Sequence, residues 1–472
     1  MVKYIKHTLL LAILFTVSCG IFAQKPEISK YVEQIDSVKI RITLSTLASD
    51  EFEGRGTGKQ GGEIAQEYIV ACLDLYGVKP GNNNSYFQSI NQIKSFNVAK
   101  KQFTVDNVDF PDDYKYENSY YQDTVLKINE IIFIVSGTET AGIKLDNIEG
   151  KVIMKLNDTP SHFLDSLNPA TVINIFPTFK PVSSVVSERL FFTPPESNYK
   201  YNRVNISVNL ADQLLKSTGK TLKEITGEVE KSGKSKVFTL KTSAEIHGNV
   251  IYHKTNVSNI VGIIEGSDLK NEYVILSAHH DHVGIINEEI YNGADDNASG
   301  VSSVLEIARL LAKAKNEGNG LRRSVVFLFF AAEEMGLIGS NYYVHHPVFP
   351  LTDAKACINV DMVGRIDNKY ESTKGNYIYI VNDEKTNGDL LEIAGKSNSD
   401  SIVLNTKDHN SLFNRSDHYN FARNNIPSIV LTSGLHEDYH TPRDEVKLID
   451  FNAMWKRNRF MFSLIWNLAN GD

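Results

Sequence analysis

Histidine and carboxylate side chains are concentrated in a few short segments in the second half of this 472-residue chain. The densest segment is SAHHDHVG at residues 277–284, in which four potential metal ligands are consecutive: His279, His280, Asp281 and His282. Four ligands so close together are too many for one ion to use. Further candidates occur in four other segments, which are GADDNASG (residues 293–300), Glu333-Glu334, Asp361 in INVDMVGR, and His440 in DYHTPRDE.

These residue types indicate a zinc site that could hydrolyse a bond. Histidine and carboxylate ligands without cysteine are typical of zinc, and a carboxylate can bridge two ions. Two ions about 3.5–4 Å apart can activate a water molecule and polarise the bond that it attacks. Such a centre needs a bridging carboxylate, ligands for each ion and a separate carboxylate that handles the proton. The segments supply that set, which cobalt or manganese could also occupy.

The alternation of side chains along a strand separates the roles within SAHHDHVG. Residues two apart point to the same face, so His279 and Asp281 point together while His280 points the other way. This predicts His279 as a metal ligand and Asp281 as the carboxylate that binds the second ring nitrogen of His279. His280 and His282 are predicted to line the cleft or to pack, with no metal role.

Apolar segments that predict buried strands lead into the candidate ligands. EYVILSA precedes His279, RSVVFLFFAA precedes Glu333, ACINV precedes Asp361, and IPSIVLTSG leads through a short loop to His440. Continuous apolar runs indicate strands covered on both faces, and GVSSVLEIARLLAKAK between them has helical spacing. The sequence therefore predicts an α/β fold, a three-layer sandwich with a mainly parallel central sheet. In such folds ligands bind beyond the carboxyl ends of the strands, where these residues stand.

The first residues of the chain predict export. Residues 1–23 begin with Lys3 and Lys6, continue with an apolar run and end in a potential cleavage site at Ala23, which is the pattern of a secretory signal peptide. We therefore expect a periplasmic or extracellular protein. Cys19 leaves an alternative open, a lipid anchor at the cell surface. No other segment predicts a membrane span.

Residues 101–247 differ in character from the segments on either side. Short strand-like runs such as EIIFIV, KVIMKL and TVINIF are separated by polar turns, and histidines and carboxylates do not cluster there. This predicts a β-rich insert that acts as a lid, a spacer or a protein contact. Earlier in the chain, helical patterns flank Gly56-x-Gly58-x-x-Gly61, which favours a loop over a nucleotide-binding turn. The net charge of −8 argues against nucleic acid as the main partner.

Six segments, in this order, resemble those of the co-catalytic zinc aminopeptidases and glutamate carboxypeptidases, metallopeptidase family twenty-eight. They are SAHHDHVG, GADDNASG, FAAEEMGLIGS, INVDMVGR, RSDHYNFARNNIPSIV and EDYHTPRDE, within residues 258–450. The N-terminal ASDEFEGRGTGKQGGEIAQEYI is similar to the family's leading helices. The resemblance implies a zinc peptidase domain formed by residues 24–100 and 248–472. The insert at residues 101–247 resembles, less specifically, the protease-associated domain that many members carry.

The resemblance also implies the metal ligands by matching position. His279 and Asp361 would bind one zinc, and Glu334 and His440 would bind the other. Asp296 would bridge the two ions, because the family's bridging aspartate is the one directly before the Asn-Ala-Ser-Gly turn. The peptide bond that follows Asp296 would be cis.

Further roles carry over to residues beside the ligands. Glu333 would be the general base, and Tyr439 would donate a hydrogen bond to the developing oxyanion. Ser416 matches a family position that supports a metal-binding histidine. Asp444, four residues after His440, either steadies the loop or is a plain surface charge, and His418 is expected to be a cleft-wall or structural histidine.

Together these features predict an exported aminopeptidase that hydrolyses peptides with the help of two zinc ions. A carboxypeptidase or dipeptidase of the same family is the nearest alternative, and it would need a cation for a substrate carboxylate. Arg365, Arg415 and Arg423 are candidates for that cation. A non-catalytic surface binding protein is the alternative from a different class, which the full ligand set argues against.

Overall fold

A computed structural model describes residues 28–471 except 92, 117–123, 138–148, 157–163, 165–167, 180–188, 193–201, 384 and 386. The predicted signal peptide at residues 1–23 and its Cys19 lie outside the described residues. Among the helices that are described, we find none with the length and apolar character needed to cross a membrane.

The strands of the described residues fall into three successive groups along the chain. The first two are β1 (Lys79–Pro80) and β2 (Phe87–Ser89). The next nine are β3 (Ile93–Val105), β4 (Val108–Asp109), β5 (Tyr114–Tyr116), β6 (Thr124–Val135), β7 (Val152–Leu156), β8 (Thr171–Ile175), β9 (Arg189–Phe192), β10 (Asn202–Ile206) and β11 (Lys236–Lys254). The last nine are β12 (Ser258–Ile264), β13 (Leu269–His279), β14 (Gly284–Ile286), β15 (Glu289–Tyr291), β16 (Arg323–Phe330), β17 (Ala354–Val360), β18 (Tyr377–Val381), β19 (Val403–Asn405) and β20 (Ser428–Thr432).

The helices of the described residues have recognisable ends. Asp36 accepts hydrogen bonds from backbone N–H groups at the start of α2, and the left-handed Gly77 follows the end of α3. The helices are α1 (Ser29–Val32), α2 (Ser37–Leu47), α3 (Gln60–Tyr76), α4 (Val208–Leu214), α5 (Leu222–Ser232), α6 (Gly300–Asn316), α7 (Ile338–His345), α8 (Leu390–Ser397), α9 (His418–Ala422) and α10 (Phe451–Asn470).

The first sheet has nine strands in the order β1-β12-β16-β13-β17-β20-β18-β19, with β2 also paired to β12. Its four central strands, β16, β13, β17 and β20, are parallel. The pairs of β12 with β16 and of β20 with β18 are antiparallel. The predicted α/β fold is confirmed, and the parallel strands form the centre of a mixed sheet.

Helices cover both faces of the first sheet. Along β13, Val274, Leu276 and Ala278 pack in the core with α2, α3, α6 and α10, whereas Tyr273 and Ile275 pack on the opposite face with α7 and α9. This alternation explains why the strand is a continuous apolar run, since each side chain is buried on one face or the other. The result is the three-layer arrangement predicted from the sequence.

The second sheet consists of β3 to β11, and it packs with α4 and α5 around a separate apolar core. β11 pairs with both β3 and β6 in antiparallel fashion. The chain enters and leaves this sheet at one place, where the Ile90 N–H donates to the Val257 carbonyl over 2.8 Å. Ile90 and Val257 pack on Ala331 and Ala332, just beyond the end of β16. The boundaries at residues 101 and 247, and the protease-associated resemblance, stay predictions.

Candidate metal centre

The carboxyl ends of the parallel strands bring the predicted ligands together. His279 is the last residue of β13, and Asp361 directly follows β17. Glu333 and Glu334 lie shortly beyond the end of β16, and His440 lies in the loop after β20. Because β13 pairs in parallel with both β16 and β17, these ends meet at one edge of the sheet.

Asp296 lies between two groups of ligand atoms. Its Oδ1 atom is 3.4 Å from Nε2 of His279, and its Oδ2 atom is 3.1 Å from Nε2 of His440. Nε2 of His279 is also 3.4 Å from Oδ1 of Asp361, and Nε2 of His440 is 2.9 Å from Oε2 of Glu334. A carboxylate that offers one oxygen to each group has the arrangement that a bridging ligand needs.

His282 joins the second of these groups. Its Nδ1 atom is 2.7 Å from Oε1 of Glu334 and 3.7 Å from Oδ2 of Asp296. The sequence predicted no metal role for His282, and the structure instead places it among the potential ligands. One group of atoms within reach of a single ion comes from His279, Glu333 and Asp361, and the other comes from His282, Asp296, Glu334 and His440.

Asp281 does not hold His279 in the way the sequence predicted. Nδ1 of His279 is 3.1 Å from the Asp281 backbone carbonyl but 3.9 Å from its carboxylate. The carboxylate instead accepts hydrogen bonds from the Glu333 backbone N–H at 3.0 Å and from the Thr57 hydroxyl at 2.8 Å. The prediction is therefore corrected: the main chain of Asp281 orients the histidine, and its side chain fixes the backbone of the glutamate pair.

A chain of buried polar side chains supports Asp361. The Ser277 hydroxyl donates to Asn359, the Asn359 amide donates to Ser416, and the Ser416 hydroxyl donates to Oδ2 of Asp361 over 2.6 Å. Ser416 thus supports an aspartate, whereas the resemblance implied a histidine. The bond leaves Oδ1 of Asp361 directed at His279 and the metal-ligating side.

The turn that carries Asp296 is tightly packed on its surroundings. A Cβ at Gly293, where φ is +57°, would lie 2.4 Å from the ring of His282, and one at Gly300 would lie 2.4 Å from the Val360 carbonyl. The Asp296-Asn297 peptide bond is cis, as predicted. The Asn297 side chain donates to the same Val360 carbonyl over 2.9 Å, which ties the turn to the strand end next to Asp361.

Asp444 and Arg55 fix the backbone around Asp296. The Asp444 carboxylate accepts hydrogen bonds from the N–H groups of Asp295 and Asp296, so it steadies the loop. The buried Arg55 guanidinium donates to five backbone carbonyls, those of Leu47, His280, Asn292, Gly293 and Asp296. Arg55 therefore joins the histidine segment to the aspartate turn, a role that the sequence did not reveal.

Three residues at the centre have left-handed backbone conformations. Ala332 (φ 56°) directly precedes Glu333, and Met362 (φ 58°) directly follows Asp361. His440 (φ 53°) is itself a candidate ligand. Non-glycine residues in this region cost on the order of 1 kcal/mol or more each, and such positions concentrate at functional sites. The strained positions therefore coincide with the side chains that the sequence singled out.

The two groups have the charge balance that a metal centre requires. Burial alone would lower the pKa of His440, but the carboxylates of Asp296 and Glu334 outweigh it and raise that pKa to about 10. The site therefore stabilises positive charge. Nε2 of His440 lies close to both carboxylates but has no partner with hydrogen-bond geometry among the described residues. Histidine nitrogens and carboxylate oxygens that converge in two such groups fit zinc.

A pocket opens beside the first group. Glu333, His279 and Asp361 line it together with Tyr439 and Arg415. The remaining wall is mostly apolar, and it is formed by Met362, Val381, Leu412, Val430 and Leu435. The pocket can therefore accept an apolar side chain next to polar reacting groups.

Other histidines and arginines singled out by the sequence lie away from the ligand groups. Nε2 of His280 is 3.1 Å from the Ser258 carbonyl, and His418 is fully buried against the ring of Phe413. Arg365 pairs with Asp438 over 2.9 Å, and Arg423 lies over the ring of Tyr419. Of the three arginines predicted as candidate cations, only Arg415 lines the pocket.

The fold and the site define an α/β sandwich with a candidate metal centre at the carboxyl edge of its parallel strands. Residues 259–465 match the model described as Peptidase family M28. Aminopeptidase YwaD of Bacillus subtilis (strain 168) is 30% identical over 269 residues, which cover 54% of this chain and 50% of that protein. Leucine aminopeptidase 1 of Sclerotinia sclerotiorum (strain ATCC 18683 / 1980 / Ss-1) is 25% identical over 231 residues. These residues cover 47% of this chain and 59% of that protein.

The chain thus spans about half to three fifths of the length of these curated relatives. Among solved structures, BSAP, a zinc aminopeptidase from Bacillus subtilis, is similar with a TM-score of 0.51 at 17% identity. That alignment covers 92% of this chain and 96% of the other. At this identity the likeness concerns the fold.

Proposed function

We propose that this protein is an aminopeptidase that hydrolyses the first peptide bond of peptides with the help of two zinc ions. The observation that carries the proposal is the position of Asp296, which offers one carboxylate oxygen to each of two ligand groups. Glu333 faces the same pocket as His279 and Asp361. Peptidase family M28 and the names of the aminopeptidase relatives support the reaction class.

The two ligand groups support a set of metal-binding residues. His279 and Asp361 would hold one zinc, Glu334 and His440 would hold the other together with His282, and Asp296 would lie between them. When bound, zinc would lower the pKa of a water molecule and polarise the scissile carbonyl. The zinc named for the structural neighbour BSAP supports this metal.

Glu333 handles the proton in this proposal. Its carboxylate accepts a proton from the attacking water and delivers that proton to the nitrogen of the leaving amine. Burial raises the pKa of Glu333 well above its usual value, and the carboxylates of Asp417 and Asp361 add to the increase against the opposing effect of His279. A carboxylate with a raised pKa is a better proton acceptor near neutral pH. The hydrogen bond from the Glu333 N–H to Asp281 fixes the backbone that carries it.

Tyr439 stabilises the developing negative charge. Burial raises the pKa of its phenol, and the carboxylates of Asp296 and Glu334 raise it further, so the hydroxyl stays protonated as a donor. The ring stacks on His440 with 3.8 Å between centroids, and Tyr439 lines the pocket. A donor directed at the oxyanion acts mainly in the transition state.

The charge and shape of the pocket support an aminopeptidase. The carboxylates around His279 attract a free ammonium group, which the first residue of a peptide carries. The apolar wall then receives the side chain of that residue, so leucine and phenylalanine are the expected first residues. An internal peptide bond offers no ammonium group at this position.

The test is hydrolysis of aminoacyl p-nitroanilides of leucine, phenylalanine, lysine, glutamate and glycine by the purified protein. We expect leucine and phenylalanine to react fastest, a chelator to abolish the reaction and added zinc to restore it. Acetylation of the substrate amino group should stop hydrolysis. Preference for an amino-blocked dipeptide would favour the carboxypeptidase alternative. A protein that binds no zinc and hydrolyses nothing would be a non-catalytic binding protein.

We also propose that the protein is exported, with a free or lipid-anchored amino terminus. The proposal rests on the basic start, the apolar run and Ala23 in residues 1–23, and on Cys19 for the anchored form. Mass spectrometry of the mature chain, expressed in a bacterial host, separates the two forms. A chain that starts after Ala23 supports export in free form, a diacylated Cys19 supports the anchor, and an intact Met1 contradicts both.

A further inference from the structure

Arg415 is a cation at the mouth of the pocket that has no acidic partner among the described residues. Arg365, Arg309, Arg323 and Arg459 all form ion pairs with carboxylates. Arg415 instead contacts Tyr439, whose hydroxyl oxygen is 3.4 Å from Nη2 and whose ring centroid is 5.9 Å from the guanidinium carbon. A guanidinium group binds carboxylates through paired hydrogen bonds, and here that capacity is left unused.

The position of Arg415 places it on the side of the residue that follows the scissile bond. Tyr439 is the proposed donor to the oxyanion, so a guanidinium beside it lies next to the reacting carbonyl. Met362, Val381 and Val430 are buried in the apolar wall, whereas Arg415 is exposed at the mouth. The first side chain of a peptide enters the buried wall, and the rest of the peptide extends towards the mouth. Arg415 therefore faces the residue that follows the scissile bond.

We propose that Arg415 selects substrates whose second residue carries a carboxylate. This inference rests on the proposed function and deepens it by naming a substrate class. The carboxylate has two sources: the carboxyl terminus of a dipeptide or an acidic side chain in second position. Asp296, Glu333 and Asp361 line the same pocket, and once bound zinc offsets their charge a cation at the mouth adds attraction for such a substrate.

Four substrates distinguish the two sources. Leu-Gly and Leu-Gly-amide differ only in the terminal carboxylate, and Leu-Asp-amide and Leu-Asn-amide differ only in the side-chain carboxylate. We expect the zinc-loaded protein to prefer the carboxylate member of at least one pair by roughly fivefold or more in kcat/KM, the scale of a charge-assisted hydrogen bond. The preference should lie mainly in KM, and it should weaken with added salt because the contact is exposed.

Arg415→Ala should abolish that preference, and Arg415→Lys should keep part of it. Arg423→Ala is the matched control, because Arg423 is also an exposed arginine over a tyrosine ring, with 5.6 Å to the centroid of Tyr419, but it is not part of the pocket. The control should keep the wild-type ratios for both pairs. Loss of the ratio in the Arg415 variant alone supports the inference.

Two results overturn the inference in distinguishable ways. If the protein hydrolyses Leu-Gly-amide in a chelator-sensitive manner and the ratios are the same in wild type and Arg415→Ala, Arg415 does not select the substrate while the proposed function stands. If none of the four substrates is hydrolysed with zinc, cobalt or manganese, the proposed function fails and the inference fails with it.

Discussion

Glu333 and Glu334 are neighbours in the chain, but their surroundings push their proton affinities apart. Burial raises the pKa of Glu333 well above its usual value. Burial and the charge of Asp296 would also raise the pKa of Glu334. The contacts from His282 and His440 outweigh these two effects and lower that pKa. Carboxylates whose environments diverge in this way suit different purposes, in line with the proposed roles of Glu333 in proton transfer and Glu334 in metal binding.

Substitution of the two glutamates separates these purposes. Glu333→Gln should keep zinc binding and lower kcat by about two to four orders of magnitude, because the proton acceptor is lost. Glu334→Gln is the matched change at the next position, and it should weaken zinc binding as well as activity. Zinc content by atomic absorption and kcat on Leu-p-nitroanilide are the two measurements. Unchanged turnover in Glu333→Gln would exclude it as the base.

A second prediction for a single residue concerns His282. His282→Ala should weaken binding of one of two zinc ions by about tenfold to a hundredfold, the effect expected for a group that binds or orients a ligand. His280→Ala is the control, because this neighbouring histidine contacts the Ser258 carbonyl and neither ligand group. Competition with a zinc chelator measures both constants. Identical titrations for the two variants would remove His282 from the centre.

Among the elements, the segment before α3 holds the metal centre together from outside the parallel strands. Arg55 reaches the carbonyls of His280, Gly293 and Asp296 from that segment. Gly61 allows the approach, since a Cβ there would lie 2.0 Å from the Phe52 carbonyl. Gly61, the last glycine of the Gly56-x-Gly58-x-x-Gly61 pattern, thus serves close packing at the start of α3.

Arg55→Lys tests this organisation. Lysine keeps the charge but cannot serve five carbonyls, so we expect a loss of about 2 kcal/mol or more in stability and a zinc affinity at least about tenfold lower. Arg457→Lys is a matched control, because Arg457 is also buried and donates to carbonyls, those of Val363, Arg365 and Tyr377. It should lose similar stability and keep its zinc affinity. Equal zinc affinities in both variants would make Arg55 a general support only.

The elements also show what the sequence could and could not predict. Strands β13, β16, β17 and β20 and helix α6 were predictable because apolar runs and helical spacing follow directly from two-sided burial. The role of Asp281 was not, because β13 ends at His279 and strand alternation no longer applies beyond it. His282 escaped for the same reason. Arg55 acts on backbone carbonyls that only the tertiary fold brings together, and no side-chain pattern records such contacts.

For the molecule as a whole, the two sheets have separate apolar cores, and the chain passes between them at Ile90 and Val257. The apolar core of the second sheet is formed by residues between Phe103 and Ile246, and that of the first sheet by residues outside this range. The connecting residues Ile90 and Val257 are hydrogen-bonded neighbours. A segment whose ends meet in this way can be removed without separating the strands that remain.

Replacing residues 92–255 with a short glycine-serine linker should therefore leave a folded protein. We expect cooperative thermal unfolding and chelator-sensitive hydrolysis of Leu-p-nitroanilide within about tenfold of wild type, the range of an indirect effect on positioning. Circular dichroism and the same kinetic assay provide the measurements. Loss of folding would contradict the independence of the two cores. Loss of activity in a folded product would show that the insert acts on the centre.

Acid should destabilise the whole molecule through buried histidines. Burial lowers the pKa of His418 to about 3, so the folded state keeps this ring neutral while the unfolded chain protonates it below its ordinary pKa of about 6.5. Stability that is present above that pH is therefore lost as the pH falls from about 6.5 towards 3. In metal-free protein, the free energy of unfolding should fall between pH 6.5 and 4.5 by about 2 kcal/mol less in His418→Phe than in wild type.

Urea unfolding at several pH values measures this difference. His345→Phe is the control, because His345 is an exposed histidine on the neighbouring α7. Its stability profile should run parallel to that of wild type. A parallel profile for His418→Phe as well would show that protonation of another group sets the acid limit.

The meeting of Ile90 and Val257 also bears on the order of folding. Ser89 and Ser258, which flank this point and pair across β2 and β12, are 169 residues apart in the chain. Closing a flexible loop of that length costs about 4.5 kcal/mol in chain entropy before any contact compensates for it. If the second sheet folds first, its own strands β3 and β11 bring the two ends together, and the edge of the first sheet then closes as a short hairpin. The insert would thereby serve as a folding template for β2, which pairs with β12 at the edge of the first sheet.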